Sequence, residues 1–266
     1  MMNNANEITH HTHLYGFIGE QAGQSSISAT LNKLFKANNK DAMMIPMNIR
    51  DDDFYFTIVN MKKSHVNGAL ISKEYTQRSV EALDESSEYV KSSGMCDIVY
   101  REGQKLIGDI VTISALREHL KTRAVKKVAL LGVDCYAKAF VALCNSTFDI
   151  SFFSDNLEQL MDFVTKIGVK DADINRMAEG MNIDMSRFDA VVDFSDFAKL
   201  DMISKLSKIN MDLKPKKEFS PLKVRANELE SLYIGFDDML EELSSAVYSF
   251  FESKGHLLHD KSDMRF

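Results

Sequence analysis

The chain has 266 residues, 45% of them hydrophobic and 27% charged, a composition that fits a folded globular protein and excludes a disordered, collagenous or low-complexity chain. Its length suits one large domain or two compact ones. Lysine and arginine total 32 against 39 aspartates and glutamates, a formal charge of −7 with no basic stretch, so neither nucleic acid nor anionic membrane is an expected partner.

Three cysteines, Cys96, Cys135 and Cys144, cannot all pair within one chain, and no C-x-x-C spacing is present. A reducing cytosol is the expected compartment. Met1 to His13 has no apolar core of a leader peptide, and the most apolar run, Val128 to Cys144, is interrupted by Asp134 and Lys138. Neither an export signal nor a membrane span is expected.

In chain order, Leu14 to Ile18 reads as a strand, Ser25 to Ala37 as a helix and Ala42 to Ile49 as a strand. Asp51 to Lys62 reads as a helix opened by three carboxylates that suit its positive end. Phe54, Tyr55 and Phe56 are expected to anchor it to the sheet. A strand at Val66 to Ile71 and helices across Glu74 to Ser92 follow. Met95 to Arg101 alternates like a strand and closes on Glu102-Gly103-Gln104, a hairpin turn before Leu106-Ile107-Gly108.

The second half repeats the alternation. Lys127 to Leu131 and Phe148 to Phe153 read as buried strands around the helical stretch Cys135 to Asn145, and Ala190 to Phe194 as a third strand after a polar helical region at Asp171 to Gly180. This resembles half of a doubly wound sheet. Ser220-Pro221 reads as an N-cap followed by proline in the first helical turn. Phe236 to Lys254 is a long helix with one apolar side, and Gly255 to Phe266 is expected to fray.

Several segments, taken together, resemble the shikimate dehydrogenase family over Gly16 to about Lys254. Gly16-Phe17-Ile18-Gly19 is similar to the family's opening G-x-I-G. Gln24 to Ser28 stands where the family has H-S-K-S-P, with Asn32 and Leu34-Phe35 in the helix after it. Asn67 to Lys73 covers N-V-T-x-P-x-K, Gly94 to Asp97 covers G-A-V-N, and Leu106 to Thr112 covers L-I-G-Y-N-T-D. Lys127 to Gly132 gives the next strand and its glycine, Ser220-Pro221-Leu222 the T-P-L, and Gly235 with Met239-Leu240 the glycine and M-L pair of the last helix.

The resemblance implies an α/β chain with an N-terminal mixed-sheet substrate domain, residues 1–115, and a C-terminal Rossmann-like, doubly wound domain, residues 116–235. The boundary is expected in the helix Val111 to Thr122, and helix 236–254 is expected to return to the first domain. It also implies a small-molecule ligand in the cleft between the domains, where Ser25, Asn67, Lys73, Asp97 and Thr112 would converge beyond the carboxyl ends of strands. The family activity is oxidoreduction of shikimate with NADP, or NAD in some members.

The departures fall where the family keeps its chemistry. A lysine and an aspartate flank the reacting hydroxyl in such enzymes; here Lys73 is kept and Thr112 replaces the aspartate. Hydride transfer requires that the hydroxyl proton also be taken, a contribution of roughly 10²–10⁴ in rate, and a threonine hydroxyl is no base near neutral pH. Asp97, in place of the substrate-binding Asn, or Asp109 would have to supply a displaced carboxylate. Of the family's polar substrate contacts, Ser25 is retained, but Ile27, Ala69 and Leu243 are apolar.

The cofactor loop G-A-G-G-A becomes Gly132-Val133-Asp134-Cys135-Tyr136, in which only the first glycine survives. Asp134 would turn a carboxylate toward the pyrophosphate, and Cys135 and Tyr136 would fill space, both of which oppose dinucleotide binding. At the next strand end Asp155 replaces an arginine that attracts the 2′-phosphate of NADP. It is read either as a ribose contact favouring NAD or, preferably, as a solvated residue capping the following helix.

Read without the family, Lys73 is a surface lysine, and Ser25 and Asn32 are a helix cap and a polar face. The His10, His11 and His13 cluster has metal-like spacing but no further ligand nearby, so no metal is expected. Two functional classes stay open: an oxidoreductase of shikimate dehydrogenase type, weakened or altered, and a non-catalytic small-molecule-binding or regulatory relative.

Overall fold

The computed structural model describes residue 9 and residues 11–255. The expected fraying of the tail beyond Gly255 and the contribution of His10 lie outside the described residues. The first strands and helices are β1 (His13–Gly19), α1 (Ile27–Ala37), β2 (Ala42–Asn48), α2 (Asp51–Asn60), β3 (Val66–Ile71) and β4 (Glu85–Ser86). Then come α3 (Glu88–Ser93), β5 (Ile98–Glu102), β6 (Lys105–Asp109), α4 (Thr112–Thr122), β7 (Lys127–Leu131), α5 (Cys135–Cys144), β8 (Asp149–Ser154) and α6 (Leu157–Ile167). The chain ends with β9 (Asp173–Arg176), β10 (Ile183–Asp184), β11 (Ala190–Asp193), β12 (Ile203–Lys205), β13 (Ile209–Asp212), α7 (Pro221–Glu228), β14 (Tyr233–Ile234) and α8 (Leu240–Ser253).

These elements form two units. Of the described residues, unit 1 holds those up to 87, 96–111 and 243–255, and unit 2 holds 88–95 and 112–242. The chain therefore passes between units at Val111/Thr112 and again within α8, rather than at 115 and 235. The short helix α3 sits with unit 2, where it packs on α5.

Unit 1 is built on a six-stranded mixed sheet in the order β2-β1-β3-β5-β6-β4. Strands β1, β2 and β3 are parallel, and β5 runs antiparallel to both β3 and β6. The hairpin expected at Glu102-Gly103-Gln104 joins β5 to β6, with Gly103 at a φ of 60°, a left-handed conformation that glycine adopts without strain.

Helix α8 returns to this sheet because of one missing side chain. A Cβ at Gly68 would lie 2.6 Å from the Val99 carbonyl oxygen and 2.7 Å from the Phe251 ring. Phe251 thereby reaches Tyr15 and stacks on it at 4.2 Å between ring centroids, with Phe35 at 5.8 Å on Tyr15 from α1. All three rings are buried.

Edge strand β2 is closed by a side chain. The Asn32 amide on α1 accepts from Met44 N at 2.7 Å and donates to Met44 O at 3.0 Å, so it occupies both outward groups of that residue. Two residues on, Pro46 has no N–H to offer. A free edge that would otherwise template another strand is thus blocked at both points.

Helix α2 corrects one expectation. Phe54 is fully buried and stacks on Tyr75 at 4.2 Å, but Tyr55 is 50% and Phe56 73% exposed. Successive helical residues point about 100° apart, so three in a row cannot share a buried face.

Unit 2 carries a six-stranded parallel sheet in the order β14-β13-β11-β7-β8-β9. Counted along the chain and read from the other edge, this is the order 3-2-1-4-5-6 of a Rossmann sheet, whose topological switch lies between β7 and β11. The expected polar helix at Asp171 to Gly180 is instead edge strand β9, paired with β8 from Ser151↔Asp173 to Ser154↔Arg176. As an edge strand whose one apolar residue is the half-buried Ile174, it lacks the apolar alternation that marks a strand in sequence. Helix α7 starts as expected, with Ser220 Oγ accepting from Lys223 N at 2.9 Å and Pro221 in the first turn.

If Asn32 closes the edge of β2, Asn32→Ala should lower stability by about 1–2 kcal/mol, because two backbone groups lose their partner. Asn32→Asp should recover little, since it can accept from Met44 N but cannot donate to Met44 O. Urea denaturation of the two variants against the parent checks this.

Candidate functional site

In unit 1 the carboxyl ends of β1 and β3, the amino end of β5 and the carboxyl end of β6 lie along one edge of the sheet. The Ile71 N–H donates to Asp97 O at 2.7 Å and the Asp97 N–H to Asp109 O at 3.2 Å. Lys73 follows β3 at this edge and opens a short 3₁₀ turn with its side chain exposed. Its neighbour Glu74 accepts from Ser72 Oγ at 2.6 Å and from Glu20 N at 2.9 Å, which ties the loop after β1 to the end of β3. Ser25 lies in the loop that leads into α1, where its hydroxyl accepts from Ile27 N at 3.3 Å.

Asp97 is 1% exposed, and its Oδ1 accepts from Val111 N at 2.7 Å, the last residue before the chain enters unit 2. Asp109 Oδ1 accepts from Ile110 N at 2.9 Å. Each potential replacement carboxylate therefore has an oxygen committed to the backbone. Thr112 begins α4 in unit 2 and is 9% exposed.

Asn67 does not join this edge. It stands at the amino end of β3, where its amide meets His13 Nδ1 at 2.8 Å at the amino end of β1. Five strand steps separate it from Ser72, about 16 Å at the rise of an extended chain. The motif N-x-x-x-x-x-K spans a whole strand, so its two ends cannot serve one site.

The three positions at which the sequence exchanges polar for apolar residues are closed from water. Ile27 and Ala69 are fully buried and Leu243 is 2% exposed. Among the expected polar contacts to a polyol acid, those three offer only hydrocarbon.

In unit 2 the decisive geometry is at the end of β7. Gly132 has a φ of 92°, and a Cβ there would lie 2.6 Å from the Phe194 carbonyl oxygen and 2.7 Å from Ser195 N, the chain leaving β11. The glycine thus permits two strand ends to meet at the switch point. Asp134 is the N-cap of α5, and its Oδ1 accepts from Ala137 N at 2.8 Å.

A helix N-terminus attracts a phosphate because its first N–H groups lack partners and its dipole is positive there. Asp134 satisfies one of those groups and places its own negative charge at that end. Tyr136 and Phe194, 5% and 8% exposed, bring their rings to 6.0 Å from each other beside it, and Phe140 lies 6.2 Å from Phe194. Cys135 is buried, and burial pushes its thiol up to about 11, so it sits there as an inert packing group. The residues at this turn do not fit a dinucleotide diphosphate.

Asp155 is exposed at the end of β8 and holds only a long contact, 3.4 Å, from Ser154 Oγ. The cap of α6 is Asn156, whose Oδ1 accepts from Gln159 N at 3.0 Å; the capping role expected of Asp155 belongs to its neighbour. Asp155, Asn156, Leu157 and Arg176 line an open depression of about 390 Å³. Arg176, at the end of β9, was not foreseen, because the stretch containing it reads as a polar helix in sequence.

Two further residues escaped the sequence reading. Asp193 and Asp212 are buried at the carboxyl ends of β11 and β13. For Asp193 the available signal was an Asp-x-Ser step closing an apolar strand, a pattern in which the carboxylate turns back onto the following backbone; Asp212, followed by Leu213-Lys214, carries no such step. Among the described residues no group of three or more His, Cys, Asp or Glu side chains is placed to hold a metal ion, and no helix is long and apolar enough to cross a membrane.

Comparison with known proteins agrees with the order of elements. No family model matches the chain. The NADP(+) shikimate dehydrogenase of Dictyoglomus thermophilum is 30% identical over 137 residues, 50% of this chain and 50% of that protein. Over that stretch the chain is similar to curated NADP(+) shikimate dehydrogenases. The matched stretch spans about half the length of the curated relatives.

Solved structures carry the fold over almost the whole chain. An Ael1 enzyme from Pseudomonas putida aligns with a TM-score of 0.77 at 16% identity, over 94% of this chain and 96% of that one. A shikimate 5-dehydrogenase from Listeria monocytogenes, in complex with shikimate and NAD, aligns with a TM-score of 0.70 at 17% identity, over 93% and 94%. Identities this low establish the α/β architecture and leave the chemistry of this chain to its own residues.

Asp134→Ala should destabilise the protein by about 1 kcal/mol through loss of the cap on α5, whereas Asp134→Asn, a comparable cap without charge, should cost only a few tenths. Thermal or urea melts of both variants test this. Equal losses would mean that the charge at the helix end, rather than the hydrogen bond, is what stabilises α5.

Proposed function

We propose that this shikimate dehydrogenase relative no longer works as an NAD(P)-dependent reductase and serves as a small-molecule-binding or regulatory protein of the cytoplasm. The observation that carries the reading is the Asp134 carboxylate on the amino end of α5, 2.8 Å from Ala137 N. A diphosphate brought to that turn would meet a fixed negative charge and one occupied N–H, beside a space filled by Tyr136 and Phe194. The substitution of Thr112 for a carboxylate supports it independently, because removal of a hydroxyl proton then has no base at that position.

The remaining polar groups set the ligand class. Lys73 gives a cation at the edge of the unit 1 sheet, while Ile27, Ala69 and Leu243 withdraw hydrogen bonds that a polyhydroxylated acid requires. Each ligand hydroxyl buried without a partner costs about 1–3 kcal/mol. A ligand with a single acidic group and a more apolar body fits this set better than shikimate. The competing reading, a weakened shikimate oxidoreductase using NADP or NAD, draws on the activity of the relatives and on the retention of Lys73.

Titration of the purified protein with NADPH and with NADH, followed by cofactor fluorescence and melting temperature, separates the two. No saturation in the micromolar range is expected. Saturable binding of either cofactor there would sink the proposal. Thr112→Asp alone should yield no shikimate-dependent reduction of NADP. Turnover by that single variant would place the whole loss of activity in one residue and contradict the account of Asp134.

A further inference from the structure

Two buried acids at the carboxyl edge of the unit 2 sheet take no part in the argument above. Asp193 ends β11 and Asp212 ends β13, and the parallel register sets them side by side, at the roughly 4.8 Å spacing of neighbouring strands. Asp212 is 1% exposed and fully engaged: Oδ1 accepts from Tyr233 Oη at 2.8 Å and from Lys214 N at 2.9 Å, and Oδ2 accepts from Ser220 Oγ. Asp193 is 3% exposed and one-sided. Its Oδ1 accepts from Ser195 N at 2.8 Å and Ser195 Oγ at 2.6 Å, while Oδ2 is sealed from water and has no partner.

An ionised carboxylate with a bare buried oxygen, next to a second carboxylate, is a costly arrangement, and a proton removes the cost. The proton belongs on the acid with the unused oxygen. We propose that Asp193 is a neutral carboxylic acid in the folded protein under mildly acid conditions, and that its ionisation is a built-in pH-sensitive switch that loosens the carboxyl edge of β11 and β13. The segment affected runs from Phe194-Ser195, which lies against Gly132, to Leu213–Ser220, which carries the partners of Asp212.

The surrounding charges agree. Burial pushes the Asp193 carboxyl up to about 6; the Ser195 bonds pull it down, the Asp212 charge raises it, and Lys214 lowers it. Burial also pushes the Tyr233 hydroxyl up, so this phenol remains a donor to Asp212 and takes no part in the titration. Because the folded value lies above the ordinary carboxylate value of 3.8, the native state holds the proton more tightly than the unfolded chain. The contribution of the Asp193 proton to stability is complete below about pH 4, falls as pH rises toward 6, and levels off above that.

Asp193→Asn keeps an acceptor for Ser195 and cannot ionise. The melting temperature of the parent should fall by roughly 5–10 °C between pH 4.5 and 7.5 relative to that of the variant. In the parent itself, the ¹³C resonance of the Asp193 carboxyl should titrate near pH 6. Amide exchange in Phe194-Ser195 and Leu213–Ser220, corrected for its intrinsic pH dependence, should quicken over the same interval. An Asp193 resonance already that of the ionised form at pH 4.5, a variant with the parent's pH slope, or unchanged exchange in both segments would each overturn the proposal. The resonance and the exchange are read on the parent, so they decide the matter even if the variant does not fold.

Discussion

The amino end of α5 can hold one negative charge at close range, and Asp134 supplies that charge from within the chain. A backbone N–H at a helix start gains about as much from a carboxylate on its own N-cap as from a bound anion, and the internal carboxylate loses no freedom by binding. Once the cap is covalent, the helix is stable without ligand. The aromatic rings of Tyr136 and Phe194 can then close over the turn, because nothing has to enter it. On the proposed reading, the residue that caps α5 is also the one that opposes a diphosphate.

This explains how the architecture persists while the site diverges. Gly132 would be required at the switch point even without a cofactor, since any Cβ there meets the backbone of Phe194 and Ser195. Gly68 is required because Phe251 and the Val99 carbonyl fill the space above it. Ser220 caps α7 and bonds Asp212. Gly132 and Ser220 stand in motif segments for reasons of packing and capping, whereas Gly68, opposite the motif's valine, is this chain's own accommodation of Phe251. At 27, 69 and 243, where the resemblance implies polar ligand contacts, the side chains are apolar and buried, which a core accepts without cost.

What the sequence disclosed follows the same division. The parallel strands β7, β8 and β11 are nearly continuous apolar runs, because both faces of such a sheet are covered, and they were readable to within a residue or two. Ser220-Pro221 announced α7 through cap chemistry that is local. Strand β9 was not readable, since an edge strand can be polar and its identity comes from pairing with β8. Asn67 misled for a related reason: a motif is linear, whereas a strand carries its two ends to opposite edges of the sheet. The Asp-x-Ser step foretells the bond from Ser195 to Asp193, but the pairing of Asp193 with Asp212 comes from strand order and is not legible in the sequence.

Asp134, Asp193 and Asp212 follow the carboxyl ends of three neighbouring strands, β7, β11 and β13, in the region where a doubly wound sheet receives its ligand. In a phosphate-binding sheet that edge is made attractive to anions by bare N–H groups and glycines. Here Asp134 consumes an N–H, and the other two acids add negative charge a strand or two away, where little water screens it. On the proposed reading, reverting any one of the three would leave the others in place, so opposition to an anion at this edge is spread over several residues rather than set by one. Each acid also takes a backbone N–H that follows it closely in the chain, Ala137 for Asp134, Ser195 for Asp193 and Lys214 for Asp212, and so ties the chain that leaves each strand back to the strand end.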